Sequence, residues 1–123
     1  MSSSAGIIII GDEILSGRTK DTNINWIANE LNELGIKLKE ARVIEDDKKT
    51  IINTVLEFSN KFTYVFTSGG IGPTHDDITT ESIAAAFKVD LEKNKIAMNL
   101  LKKHYEKSNI DFNEARQKMA IIP

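Results

Sequence analysis

Cysteine is absent from the sequence of 123 residues, so neither a disulfide bond nor a thiolate metal site can stabilise the fold. This absence fits a reducing cytosol, and it also excludes a thiol nucleophile. A Gly-x-Ser-x-Gly element is missing as well, which leaves a serine-hydrolase mechanism without local support. The sequence therefore offers no nucleophile of the two kinds that are easiest to recognise.

The sequence also lacks a long apolar run and an excess of basic charge. Its longest apolar run, Ile7 to Ile10, is far too short to span a bilayer, and the first five residues lack the features of a signal peptide. The net charge of -2 gives no electrostatic footprint for nucleic acid or anionic lipid. We therefore expect a cytoplasmic protein that binds neither nucleic acid nor membrane and has a small-molecule partner.

The residues that are present indicate one globular domain, since 41% are hydrophobic and 28% are charged. Apolar runs typical of buried strands alternate with segments at helical spacing. The predicted strands span residues 5–10, 38–44 and 62–67, with a brief extended piece at 89–91. The predicted helices span residues 22–35, 47–60, 79–87, 93–107 and 112–120. This order predicts an α/β fold with a mostly parallel sheet that is covered on both faces.

Three loops leave the carboxyl ends of the predicted strands, at residues 11–21, 45–47 and 68–77. In a parallel sheet such loops meet at one edge, where ligands bind. The acidic residues Asp12, Glu13, Asp46, Asp76 and Asp77 all belong to these loops. Oxygen ligands that converge beside a phosphate suit Mg²⁺ or a similar ion, so metal-assisted cleavage of a phosphoanhydride is chemically possible there.

The third loop carries the strongest signal, the stretch SGGIGP. Glycines admit positive φ and bring backbone N–H groups close to an anion, and the following helix directs its positive dipole end at the same point. We therefore predict that a phosphate binds here, through Ser68, Gly69, Gly70, Gly72 and Pro73. A Walker loop and a dinucleotide fingerprint are both incomplete, which disfavours an ordinary NTPase or Rossmann dehydrogenase. The alternative is a tight turn without a ligand.

The acidic residues also have ordinary structural interpretations. Asp77 or Thr79 can cap the helix after the glycine loop, and Asp21 or Thr22 can cap the helix after the first loop. The sharper hypothesis is that one carboxylate of the pair Asp76 and Asp77 caps the helix while the other binds a divalent cation or a ligand hydroxyl. We take both as candidate metal ligands, for Mg²⁺ or Co²⁺.

Two motifs together resemble a known family. The stretch GDEILSG at residues 11–17, followed by DTN at 21–23, and the stretch TSGGIGPTHDDIT at 67–79 are similar to the signatures of the molybdopterin-binding domain of the MoaB/Mog superfamily. The form of the first motif is closest to the branch that contains the amino-terminal domain of CinA and the corresponding domain of eukaryotic FAD synthases. The resemblance covers nearly the whole chain in order and spacing.

The resemblance implies one domain over residues 1–123, a three-layer α/β/α sandwich that forms a homo-oligomer, a trimer or higher. The glycine loop would bind a phosphate of molybdopterin or of an adenine dinucleotide. By motif match, the ligand site would include residues of both motifs: Asp12, Gly69, Gly70, Gly72 and Asp77. The family pattern normally continues past Pro123 through further strands, so we expect the C-terminal part of the domain to be missing.

The resemblance also implies candidate chemistry. Asp46 matches an aspartate that the Mog branch uses in its adenylation site, and we take Asp46 and Asp77 as candidate catalytic residues. The CinA branch implies a metal-dependent pyrophosphatase that acts on ADP-ribose or related dinucleotides. The alternatives are a non-catalytic binding or assembly module and the adenylylation of molybdopterin in molybdenum cofactor biosynthesis.

Overall fold

The computed structural model describes residues 3–123, in which strands alternate with helices along the first two thirds of the chain. The elements of this α/β part are β1 (Ser4–Ile10), α1 (Asp12–Leu15), α2 (Asn23–Glu33), β2 (Lys37–Ile44), α3 (Lys48–Lys61), β3 (Tyr64–Ser68) and α4 (Thr79–Phe87). The elements that follow are β4 (Glu92–Lys93), α5 (Lys95–Ser108), α6 (Glu114–Gln117), a 3-10 turn (Lys118–Ala120) and β5 (Ile121–Ile122).

The first three strands form a parallel sheet in the order β2-β1-β3. Ile10 at the end of β1 lies opposite Ile44 of β2, and Ile9 lies opposite Ser68 of β3. Because the strands are parallel, their carboxyl ends and the loops that leave them meet at one edge. The predicted parallel sheet is confirmed.

Helices cover both faces of this sheet. Successive side chains of β1 point to opposite faces, and Ile8 and Ile10 pack in the core against Phe58 of α3. Ile7 and Ile9 are also buried, on the opposite face. The crossover with α2 runs from β1 to β2, and the crossover with α3 runs in the opposite direction across the sheet, from β2 to β3. Right-handed connections therefore place these two helices on opposite faces. The predicted three-layer arrangement is confirmed.

Residues 88–122 form a smaller unit, here called the C-terminal lobe. β4 and β5 pair antiparallel, with Glu92 opposite Ile122 and Lys93 opposite Ile121. Helix α5 has no buried residue, although Ile96 and Leu100 are large apolar side chains on its exposed surface. Within residues 3–123, no helix is both long enough and apolar enough to cross a membrane.

Three local predictions are wrong. The extended piece predicted at residues 89–91 lies at 92–93 instead, because β4 forms only where β5 pairs with it. The first loop contains the short helix α1, which the loop prediction omitted. The helix predicted over residues 112–120 is shorter and continues as a 3-10 turn.

Candidate functional site

Gly69 and Gly70 turn the chain out of β3 with positive φ values of 98° and 68°. A Cβ atom on Gly69 would lie 2.0 Å from the carbonyl oxygen of Ile10 at the end of β1. A Cβ atom on Gly70 would lie 2.1 Å from the Thr79 hydroxyl oxygen. Because no side chain fits at either position, only glycine can form this turn without a shift of its neighbours. We call residues 69 and 70 the glycine turn.

Thr79, the first residue of α4, holds the glycine turn from the other side. Its side chain is fully buried; its Oγ1 donates to the Gly69 carbonyl at 2.8 Å and its N–H donates to the Gly70 carbonyl at 3.0 Å. The positive end of the α4 dipole therefore faces the turn. Among residues 3–123, the N–H groups of Gly70 and Ile71 donate no hydrogen bond. These two donors are available to an anion.

Helix α4 begins without a side-chain cap. Its N-cap position is Ile78, and no side chain accepts a hydrogen bond there. The expectation that Asp77 or Thr79 caps this helix is therefore wrong, because the Thr79 hydroxyl is directed at Gly69 and the Asp77 carboxylate at Thr74.

Asp12 and Asp46, which follow β1 and β2, are hydrogen-bonded to each other's backbone. The Asp12 N–H donates to Asp46 Oδ2 at 3.2 Å, and the Asp46 N–H donates to Asp12 Oδ1 at 3.1 Å. A Cβ atom on Gly70 would lie 3.5 Å from Asp46 Oδ1, so the second loop lies directly beside the glycine turn. The structure thus brings all three strand-end loops together, as the sequence predicts.

The environment of Asp46 opposes its charge. Burial raises the pKa of Asp46 above its ordinary value, and the negative charges of Asp12, Glu13 and Asp77 raise it further. The hydrogen bond from the Asp12 N–H lowers the pKa but does not compensate. Asp46 is therefore a stronger base than an exposed aspartate, next to the available N–H donors.

The acidic depression is a surface hollow of about 430 Å³ beside the glycine turn. Its polar lining consists of Asp12, Glu13, Arg18, Asp46, His75 and Asp76. The side chains of His75 and Asp76 are 94% and 84% exposed. Carboxylate oxygens suit a hard divalent cation, but among residues 3–123 no three Asp, Glu or His side chains converge in a geometry that could hold a metal ion.

Asp77 lies outside the acidic depression. Its Oδ2 accepts from the N–H and the hydroxyl of Thr74, at 3.0 and 2.8 Å. Burial raises the pKa of Asp77, but the hydrogen bonds from Thr74 and Gly72 lower it more, so the pKa lies below its ordinary value. Asp77 also lines a second, mainly apolar hollow of about 580 Å³, with Ile71. Since Asp76 and Asp77 line different hollows, a metal ion shared by the two stays a prediction, as does catalysis by Asp77.

Ser68 connects the two sequence motifs. Its hydroxyl oxygen accepts from Asn23 Nδ2 at 2.6 Å, and both residues line a pocket of about 240 Å³. The N-cap position of α2 is Thr22, whose side chain makes no capping bond, but Asp21 Oδ2 accepts from the Ile24 N–H at 3.0 Å and so satisfies one donor of the first turn. Pro73 is partly buried where the loop leaves the glycine turn. Ligand contacts by Ser68 and Pro73 stay predictions.

Two contacts of this site were not predicted. Thr79 was considered only as a cap, although a threonine that begins the helix after the glycines was the available signal. The Lys118 ammonium donates to the carbonyl oxygens of Thr74 and Asp77, at 2.6 Å each. No local pattern indicates this contact, because 41 residues separate Lys118 from Asp77.

Comparison with known proteins decides the family. The family described as "Probable molybdopterin binding domain" matches residues 6–122. The chain belongs to this family. The predicted family is confirmed, and with it the interpretation of the two motifs as those of a molybdopterin-binding domain.

Similar proteins place this domain in the CinA branch. A protein from Sulfurisphaera tokodaii is 43% identical over 97% of this chain and 46% of its own length. A CinA-like protein from Anaeromyxobacter dehalogenans is 33% identical over 95% of this chain and 29% of its own length. The crystal structure of CinA from Thermoplasma acidophilum, a protein of unknown function, superposes with a TM-score of 0.86 and 36% identity over 99% of this chain and 71% of that chain. The chain spans less than half the length of the relatives from Sulfurisphaera tokodaii and Anaeromyxobacter dehalogenans.

Proposed function

We propose that this CinA-type molybdopterin-binding domain binds a phosphorylated small molecule, with a phosphate on the N–H groups of Gly70 and Ile71. The observation that carries the proposal is the glycine turn, since its backbone approaches Ile10 and Thr79 too closely for any side chain. Free N–H donors at the positive end of a helix favour an anion. The family supports a phosphorylated pterin as ligand, and an adenine dinucleotide presents the same phosphate chemistry.

We propose further that the site hydrolyses a diphosphate such as that of ADP-ribose. The Asp46 carboxylate lies beside the glycine turn, and its raised pKa suits it to accept a proton from an attacking water. Asp77 holds the loop in shape through Thr74. Asp12 and Asp76, which also line the acidic depression, would hold Mg²⁺ or Co²⁺ together with oxygens of the bound phosphate, and the ion would neutralise phosphate charge.

The test is incubation of the protein with ADP-ribose, FAD and coenzyme A, in Mg²⁺ or Co²⁺ and in chelator, with release of AMP measured by chromatography. We expect metal-dependent AMP release that the Asp46→Asn variant loses. Glu45→Gln is the matched control, because it removes the charge of the adjacent exposed residue, which does not line the acidic depression. Equal turnover by the wild type and Asp46→Asn would contradict the hydrolytic role.

The second candidate function is a binding module without turnover. The observation that favours it is the mutual hydrogen bonding of Asp12 and Asp46, which occupies one oxygen of each carboxylate. Isothermal titration with AMP and ADP-ribose would then show binding of both, and ADP-ribose would be recovered intact in either metal. AMP release would exclude this alternative.

A further inference from the structure

We propose that Lys118 is a positioning residue of the phosphate site, which holds residues 71–77 in place beside the glycine turn. This segment is here called the outer loop. The inference deepens the proposed function and rests on it, because the outer loop begins with Ile71, one of the two proposed phosphate donors. Lys118 itself need not contact the ligand.

The outer loop depends on Lys118 for its attachment to the C-terminal lobe. Within the loop, the Asp77 N–H donates to the Thr74 carbonyl at 3.2 Å, and the Asp77 carboxylate accepts from Thr74 and Gly72. These bonds close the loop upon itself but do not fix its position. Lys118 Nζ donates to the carbonyls of both residues, at 2.6 Å each. Within residues 3–123, no other distant side chain donates to this loop.

The backbone that carries Lys118 is held firmly in place. It begins the 3-10 turn whose last residue, Ala120, is fully buried. The Ala120 carbonyl accepts from the Asn94 N–H at 2.7 Å, and the Asn94 side chain caps α5 by accepting from the Ala97 N–H at 2.9 Å. The ammonium group therefore joins the outer loop to the first turn of α5.

The chemistry of the contact favours positioning over direct phosphate binding. An ammonium group has three N–H donors, and two of them are already bonded to carbonyl oxygens at opposite ends of one turn. Binding sites need such supporting contacts, because a loop placed slightly wrong loses its ligand.

The experiment compares the wild type with Lys118→Met, Lys118→Arg and Lys103→Met. Lys103 is the matched control, since it is an exposed lysine of α5 in the same lobe. The two measurements are the Kd for AMP, by isothermal titration, and the hydrogen-exchange rate of the Asp77 amide without ligand, by NMR. Amides of β1 and β3 report whether the fold is intact.

We expect Lys118→Met to weaken AMP binding roughly tenfold, the scale of one charge-assisted hydrogen bond. The Asp77 amide should exchange faster, while the amides of β1 and β3 keep their rates. Lys118→Arg should restore most of the affinity, because a guanidinium can also donate to both carbonyls. Lys103→Met should behave like the wild type.

Three results would overturn the inference. The first is an unchanged exchange rate of the Asp77 amide in Lys118→Met. If AMP binding alone were weaker, Lys118 would contact the ligand directly instead of positioning the loop. The second is faster exchange throughout β1 and β3, which would indicate a general folding role. The third is a loss of AMP affinity in Lys103→Met equal to that in Lys118→Met. If the wild type does not bind AMP, ADP-ribose or pyrophosphate, the proposed function fails, and the Asp77 exchange rate alone decides whether Lys118 holds the loop.

Discussion

At the scale of single residues, Asp46 is subject to two opposed demands. Burial and the charges of Asp12, Glu13 and Asp77 raise its pKa, so its ionised form is unfavourable in the folded protein. The same carboxylate lies beside the glycine turn, where the proposed hydrolysis requires a base. Residues at functional sites often reduce stability in this way. The destabilisation caused by the ionised Asp46 carboxylate can be measured, because it depends on pH.

Asp46→Asn should raise the melting temperature by roughly 2–4 °C at pH 7. In a domain of this size, such a shift corresponds to a gain of less than about 1 kcal/mol in the free energy of unfolding. The asparagine oxygen can still accept from the Asp12 N–H, while the repelled charge is gone. Since the folded pKa of Asp46 is raised, the wild type is most stable below its unfolded pKa and loses this contribution as the pH rises through the folded pKa. The gain should therefore nearly vanish at pH 3. Thermal unfolding followed by circular dichroism at both pH values checks this, and an equal gain at both would contradict it.

Gly69→Ala should destabilise the protein by about 3–5 kcal/mol, the sum of a left-handed backbone penalty and the overlap of Cβ with the Ile10 carbonyl. The control is Gly17→Ala, since Gly17 also has positive φ, 81°, but no atom lies within 4 Å of its Cβ position. Gly17→Ala should lower the free energy of unfolding by only about 1–2 kcal/mol. Urea unfolding of both variants measures the difference. Equal costs would mean that the close approach to β1 does not demand glycine.

At the scale of elements, α3 begins at a side-chain cap. Asp47 Oδ2 accepts from the N–H and the hydroxyl of Thr50, at 3.0 and 2.8 Å. The Thr50 N–H contributes most to lowering the pKa of Asp47 below its ordinary value. Because α3 contributes Ile51, Val55 and Phe58 to the core, a loss at this cap affects the whole α/β part.

Asp47→Ala should lower the melting temperature at pH 7. Since the folded pKa of Asp47 is lowered, its contribution is present above the unfolded pKa and is lost as the pH falls through the folded pKa. The difference from the wild type should therefore shrink below about pH 4. Asp47→Asn keeps an acceptor for the Thr50 N–H and should retain most of the stability at pH 7. A melting temperature of Asp47→Ala that equals the wild type at pH 7 would contradict the cap.

The elements also show why sequence predicts some features and not others. The isoleucines of β1 predict a buried strand, and the glycines after β3 predict a turn with positive φ. Both are local patterns, and the structure has both features where they were expected. Asp12 and Asp46 meet because parallel strands end at the same edge, which follows from the order of elements. The position of β4 depends on its partner β5, and short strands of this kind have no pattern of their own.

Side-chain direction limits what could be predicted of the site. Asp76 and Asp77 are neighbours in sequence, yet Asp77 bonds to Thr74 while Asp76 lies near His75. Which way each carboxylate points depends on the turn between residues 74 and 77, and the order of residues does not determine it. Lys118 could not be predicted because its contact joins two segments distant in sequence.

At the scale of the whole molecule, the core lies almost entirely in the α/β part. Buried apolar residues occupy every position of β1 from Ile7 to Ile10 and the inner side of α3. In the C-terminal lobe, Ala120 is the buried apolar residue among those described, and α5 has none. Burial of apolar area is the main source of stability, so the two parts should differ in their resistance to local unfolding.

Hydrogen exchange of the intact chain should resolve this difference. We expect amides in the middle of α3, around Thr54 and Val55, to exchange only through global unfolding, because that helix is buried against the sheet. Amides in the middle of α5 should exchange faster by one order of magnitude or more, since this helix can open while the sheet stays intact. The two helices have equal length, 14 residues each, so helix length does not account for the difference. Urea at concentrations below the unfolding transition should accelerate exchange in α3 much more than in α5, because global unfolding exposes more surface. Equal rates and equal urea dependence in both helices would show that the molecule unfolds as one unit, with Lys118 and the 3-10 turn joining the lobe firmly to the sheet.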